Sequence, residues 1–175
     1  MKPTVFLMLG FPGSGKSTFA RQLAEARTII RISSDDIRPY MYTTTLAIRD
    51  IRNNPAVFGA LDYVVGKLLT ARMSVIYDAN FNRRKDRKAH RLCAQRADAR
   101  TILIWMKTPL EVAREREAGR ATAGESLAIP SERYQQLVDR LQEPESEETV
   151  MTIDGLAPFE EQLRSFDEQL RRLRK

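Results

Sequence analysis

Thr4-Val5-Phe6-Leu7-Met8-Leu9-Gly10-Phe11-Pro12-Gly13-Ser14-Gly15-Lys16-Ser17-Thr18 is the stretch whose reading decides the fold. Its first part is a continuous apolar run, as expected for a strand buried on both faces. Glycines then break the run, and Phe19, Ala20, Leu23 and Ala24 recur at helical spacing up to Ala26. The order is strand, glycine loop, helix. From Gly10 to Ser17 every fixed position of the pattern G-x-x-x-x-G-K-[ST] is matched in that context. Glycines let backbone N–H groups close around an oxyanion, and the helix that follows directs its positive end at it. Gly10, Pro12, Gly13, Ser14, Gly15, Lys16, Ser17 and Thr18 are therefore the expected binding loop for ATP or GTP. Lys16 reaches the terminal phosphates, and Ser17 offers its hydroxyl to Mg²⁺.

Further strands are expected at Thr28–Ile32, Ser74–Tyr77, Thr101–Met106 and Thr149–Ile153, and helices at 56–72, 83–97, 109–119 and 130–141. A closing helix carries Phe159, Leu163, Phe166, Leu170 and Leu173 on one face; it docks on its own sheet or pairs with another subunit. Residues 43–54 are ambiguous. Alternating strands and helices give an α/β fold, a five-stranded parallel sheet with helices on both faces. No internal repeat or linker divides the 175 residues, so one domain spanning 1–175 is expected.

A single cysteine, Cys93, excludes an internal disulfide, and a single histidine, His90, excludes a histidine-rich metal cage. His90 reads as a surface residue and Cys93 as part of an apolar stripe with Ala89, Leu92 and Ala97. No apolar run approaches the roughly 20 residues of a membrane helix, and the N-terminus lacks a signal-peptide pattern. A cytoplasmic protein without membrane or obligate protein partner is expected. The net charge is +6 from 29 Lys and Arg against 23 Asp and Glu, and residues 141–175 alone are acidic. The basic body fits an anionic partner, nucleotide or nucleic acid, or simply solvated helix faces. Arg83–Lys88 reads either as acceptor-side phosphate contacts or as the wet face of a helix. Glu143–Glu148 reads as a solvated turn.

Asp35 and Asp36 follow the second strand and Asp78 ends the third, so all three belong near the glycine loop, at the carboxyl edge of a parallel sheet. Helix capping is the other reading of Asp35 and Asp36. Together, Gly10–Thr18, Ile32-Ser33-Ser34-Asp35-Asp36-Ile37-Arg38 and Ile76-Tyr77-Asp78-Ala79-Asn80-Phe81-Asn82-Arg83 resemble the P-loop kinase domain of phage-type polynucleotide 5′-kinases. They also resemble a wider group of small bacterial P-loop kinases, which includes zeta-toxin-like and small-metabolite kinases. The likeness covers most of residues 4–153. Here Ser34 stands where the family often has a basic residue, and the phosphatase domain of the phage enzymes is expected to be lacking.

The resemblance implies a P-loop NTPase fold of the nucleoside-kinase type with a helical lid at about 109–130. It implies Asp35 as general base on the acceptor hydroxyl and Arg38 as its phosphate contact. Asp78 lies near metal and acceptor, with Asn80, Asn82 and Arg83 alongside. Arg116 and Arg120 are lid arginines that close over the nucleotide phosphates, whereas Arg114 reads as a solvated residue. The expected activity is ATP-dependent transfer to an acceptor hydroxyl, foremost the 5′-OH of RNA or DNA. The alternatives are a small-molecule kinase, or a nucleotide-binding ATPase or regulatory module in which water is the nucleophile.

Overall fold

The computed structural model describes residues 2–41, 55–123, 129 and 131–173. Its first strand, β1 (Thr4–Leu9), is buried along its whole length, as its unbroken apolar run requires. β1 is the middle strand of a five-stranded sheet with β2 (Ile30–Ser33), β3 (Val75–Asp78), β4 (Arg100–Lys107) and β5 (Val150–Asp154). The order is β2-β3-β1-β4-β5 and every pair is parallel. The helices are α1 (Lys16–Arg27), α2 (Ser34–Met41), α3 (Pro55–Thr70), α4 (Arg84–Arg96), α5 (Leu110–Thr122), α6 (Ser131–Val138) and α7 (Phe159–Arg172).

Alternate residues of β1 feed two cores, the period-two rule of a strand. Val5, Leu7 and Leu9 join Val57, Leu61, Val65 and Leu69 of α3 and Ala94 of α4. Phe6 and Met8 join Phe19, Ala20 and Leu23 of α1 and Phe166 of α7. Phe166 lies against Phe6 and Phe19, with centroids 5.5 and 6.4 Å apart, so the closing helix docks on its own sheet. Each buried ring of this kind is worth roughly 1.5–3 kcal/mol of apolar burial.

Several expectations change. β2 begins at Ile30 rather than Thr28, while the short helix α2 opens at Ser34, with Asp35 and Asp36 in its first turn. α5 runs through Gly119 to Thr122, where a loop was expected from Arg120. Residues 43–54 lie outside the described residues. In α4 the buried positions are Arg87 and Ala94, while Cys93 and Leu92 face outward and Leu92 is 47% exposed. His90 is a half-buried residue rather than a surface one, edge-on to Tyr77 and Phe81 at 5.1 and 4.8 Å. Val64 of α3 also points outward. Trp105 is half-buried against the core, with the Lys107 ammonium 3.2 Å from its ring centroid.

The acidic stretch 143–148 is no mere solvated turn. Glu148 takes both ends of the Arg87 guanidinium at 2.8 and 2.9 Å, Arg84 meets Glu145, and Arg91 meets Glu147. Arg84 and Arg87 of the basic run, and Arg91 one turn beyond it, are thus neutralised from a distant segment. Among the described residues no helix is long and apolar enough to cross a membrane.

Because all strands run parallel, their carboxyl ends share one edge. The register pairs Ser33 with Asp78 and Lys107 with Asp154 there. β1 delivers the glycine loop to the middle of that edge.

Candidate active site

The loop is supported from four directions. Asn82 commits both ends of its amide to the Gly10 peptide: Oδ1 accepts from the Gly10 N–H and Nδ2 donates to its carbonyl, each at 3.1 Å. Thr108 Oγ1 donates to the Ser14 carbonyl at 2.9 Å, and Tyr134 OH donates to the Pro12 carbonyl at 3.1 Å. The fourth support is steric. Gly13 sits at φ 77° with its Cα against the Ala113 carbonyl of α5, where a Cβ would collide. Gly15, at φ 91°, precedes α1 and has open space on its Cβ side. A left-handed backbone with room beside it is what close approach of a phosphate requires.

Lys16 turns back over the loop, donating to the carbonyls of Gly10 at 2.9 Å and Phe11 at 2.6 Å. Burial lowers its pKa to about 8, against the pull of Asp78, Glu117 and Asp35. Ser17 Oγ donates to Asp78 Oδ1 at 3.0 Å. The other oxygen, Asp78 Oδ2, accepts from Arg31 Nε and Nη2 at 2.9 and 2.7 Å, and Arg31 Nη1 reaches Asp36 at 2.6 Å. Burial pushes the Asp78 carboxyl upward, opposed by Arg31 and Ser17. Asp35 lies in the first turn of α2, its N–H donating to Ser33 Oγ at 3.2 Å.

Ser17 and Asp78 are hard oxygen donors, the kind Mg²⁺ prefers, so the residues present fit that ion. Among the described residues no cluster of three or more His, Cys, Asp or Glu could hold a metal by itself. A Mg²⁺ here would take its remaining ligands from water and nucleotide phosphate.

A single cavity of about 1390 Å³ is lined by Pro12, Gly13, Gly15, Lys16, Ser17, Thr18, Asp35, Asp78, Asn80, Asn82, Arg83, Arg116 and Arg120. Most of the expected site is thus brought together. Gly10 and Ser14 lie beneath the surface, both buried. The side chain of Arg38 lies outside the described residues. Asn82, expected on the acceptor side, is 1% exposed and acts chiefly as the brace of Gly10. Asn80 Oδ1 accepts from the Asn82 N–H at 3.1 Å and holds that turn.

Of the lid candidates, Arg116 donates to the Gly155 carbonyl at 3.0 Å and Arg120 to Glu117 at 3.1 Å. Arg114 binds Gln135 at 3.0 Å, away from the cavity wall. Glu117 is a buried carboxylate that also accepts from the Ile129 N–H at 2.8 Å.

Sequence reasoning missed Arg31, Glu117, Arg133 and Arg140, all of which line the cavity. A charged residue between Ile30 and Ile32 was the available signal for Arg31. It also missed a polar corner in which Tyr77 OH donates to Asp62 at 2.8 Å, with His90 Nε2 3.6 Å from the same oxygen. Burial lowers the His90 pKa, against Asp62 and Asp86.

The family described as AAA domain matches residues 5–144, most of the chain, and the chain belongs to that family. Its fold is that of P-loop kinases. A gluconokinase from Sinorhizobium meliloti superposes with a TM-score of 0.70 at 22% identity, covering 98% of this chain and 93% of that one. The Mycobacterium tuberculosis APS kinase, solved with AMPPNP and APS, gives 0.69 at 20% identity over 97% and 98%. Kti12 from Chaetomium thermophilum, solved with ADP-AlF3, gives 0.67 at 21% over 95% and 98%. No curated protein matches the chain.

Proposed function

We propose that the chain is an ATP-dependent kinase acting on an acceptor hydroxyl in the cytoplasm. One domain spans residues 1–175, with about 109–130 as its lid. The observation that carries this reading is Asp35, which lines the same cavity as Lys16 and whose charge bears on the Lys16 ammonium. A hydrolase needs only to orient water, whereas a carboxylate facing the phosphate loop suits an incoming alcohol.

In this reading Gly10–Thr18 hold the nucleotide and Ser17 holds Mg²⁺ beside Asp78. The ion, when bound, neutralises charge on the phosphate oxygens. Asp35 orients the acceptor hydroxyl and takes its proton as the oxygen bonds to the γ-phosphorus. The bond from γ-phosphorus to the bridging oxygen breaks, and its electron pair leaves on ADP. Lys16, Arg116 and Arg120 balance the charge that spreads over the transferred group. Arg38, Asp78, Asn80 and Arg83 form the acceptor side, while Asn82 braces the loop beneath it. The first acceptor to test is the 5′-hydroxyl of RNA or DNA. A small hydroxylated metabolite is the second reading, favoured because Glu143–Glu148 consume Arg84, Arg87 and Arg91 and so break up a continuous phosphate track.

An acceptor screen with Mg·ATP, read by mass spectrometry, tests both. Asp35→Asn is expected to lower transfer by about 10²–10⁴-fold while leaving ATP affinity nearly intact. Equal ATP hydrolysis by wild type and variant, with no acceptor phosphorylated, would favour the ATPase or regulatory reading.

A further inference from the structure

Nine lysine or arginine side chains and six carboxylates line the cavity. Much of this charge is already matched. Arg31 answers Asp36 and Asp78, and Arg120 answers Glu117. Arg83, Arg133 and Arg140 are different. They are half-buried, and none has a hydrogen-bond or ion-pair partner among the described residues.

The fold gathers these three groups. Arg133 and Leu137 are four residues apart on one face of α6, Arg140 lies in the turn that follows it, and all three line the cavity. The Gln142 N–H donates to the Asn82 carbonyl at 2.8 Å, and the Arg84 N–H donates to Gln142 Oε1 at 2.9 Å. That double tie fastens the segment after Arg140 to the turn that carries Arg83, and both arginines line the cavity. Half-desolvated like charges repel one another unless an anion lies between them. Elsewhere the chain supplies counter-ions readily: Arg84, Arg87 and Arg91, on the neighbouring turns of α4, each meet a glutamate. Arg83, Arg133 and Arg140 receive none among the described residues. A guanidinium fork is the group best suited to hold phosphate or carboxylate.

We infer that Arg83, Arg133 and Arg140 form an anion subsite, and that the acceptor carries a phosphate or carboxylate group as well as the hydroxyl presented to Asp35. This rests on the kinase reading and narrows its substrate class to anionic alcohols. Neutral nucleosides, sugars and uncharged antibiotics are excluded as preferred acceptors.

The test loads the full chain with a non-hydrolysable ATP analogue and Mg²⁺, then titrates inorganic phosphate by calorimetry. Saturable phosphate binding is expected, weakened at least about tenfold in Arg133→Gln/Arg140→Gln and in Arg83→Gln, with analogue affinity retained. An analogue that fails to bind refutes the kinase reading itself. Analogue bound with no phosphate uptake overturns the subsite alone, as does phosphate binding unchanged in the variants. Parallel loss of analogue affinity assigns the arginines to the nucleotide and overturns it too. Two matched pairs then separate the sources: glycerol 3-phosphate against glycerol, and a 5′-OH oligonucleotide against its 5′-terminal nucleoside. The charged member of one pair is expected to have the higher kcat/KM, with that preference lost in the variants; neutral members phosphorylated equally well would overturn the inference.

Discussion

Lys16 illustrates how one residue can be legible in type and illegible in state. The motif names it, yet its contacts with the Gly10 and Phe11 carbonyls and its desolvation arise only from the folded loop. Its pKa near 8 sits below the unfolded value of 10.5. Between those values the unfolded chain keeps a proton that the folded chain has lost, so stability from this group rises with pH across that window. Below about pH 8 the buried charge opposes folding by about 3 kcal/mol. Phosphate favours the ammonium form, so binding of an ATP analogue at about pH 9 should take up a proton, and at about pH 7 almost none. Calorimetry in two buffers of different ionisation enthalpy measures this; equal enthalpies at the higher pH, or proton uptake surviving in Lys16→Met, would contradict it. Asp35 and Asp78 were legible for a simpler reason, since strand ends in a parallel sheet share an edge. Arg133 and Arg140 were not, because nothing local distinguishes an arginine facing a cavity from one facing water.

At the scale of elements, α4 is the instructive case. Its apolar pattern pointed to Ala89, Leu92 and Cys93 as the inner face, but the helix turns Arg87 inward. That guanidinium donates to the carbonyls of Phe81 and Asn82 at 3.1 and 3.2 Å and pairs with Glu148, 61 residues away. A counter-ion at that distance leaves no periodic trace, so a charged residue on the buried face is read as solvated. The pair also links the strap at 142–148 to Asn82, and through Asn82 to Gly10. Arg87→Met should destabilise the protein by about 2–4 kcal/mol, because Glu148 keeps only the Glu145 N–H at 2.9 Å and Arg91 at 3.9 Å. Arg87→Met/Glu148→Gln should recover part of that loss. Urea unfolding of both variants checks this. Loss of less than about 1 kcal/mol in the single variant would mean that water replaces the guanidinium.

For the molecule as a whole, the parallel sheet and the helices on its two faces follow from five apolar runs alternating with helices and were readable, whereas the order β2-β3-β1-β4-β5 came only with the fold. The extent of α5 was not readable either, because Gly119 resembles a stop signal that tertiary contacts override. Nucleotide bound in the cavity would touch α1, α2, α5 and the turn after β5 at once. At about a hundredfold excess over Kd, a Mg·ATP analogue should therefore raise Tm by about 5–10 °C. Scanning fluorimetry with and without the analogue measures it, and an unchanged Tm would argue against nucleotide binding in this cavity.

The supports of the glycine loop also set an order of events during synthesis. Gly10 waits for Asn82, Ser14 for Thr108 and Pro12 for Tyr134, sequence separations of 72, 94 and 122 residues. A loop encoded within the first 17 residues is thus completed only by the far half of the chain. Such long separations slow closure and leave the N-terminal strand without its final partners while the remainder is translated. Competence to bind nucleotide is accordingly a late product of folding, and a nascent chain stalled before Tyr134 carries the motif without the site.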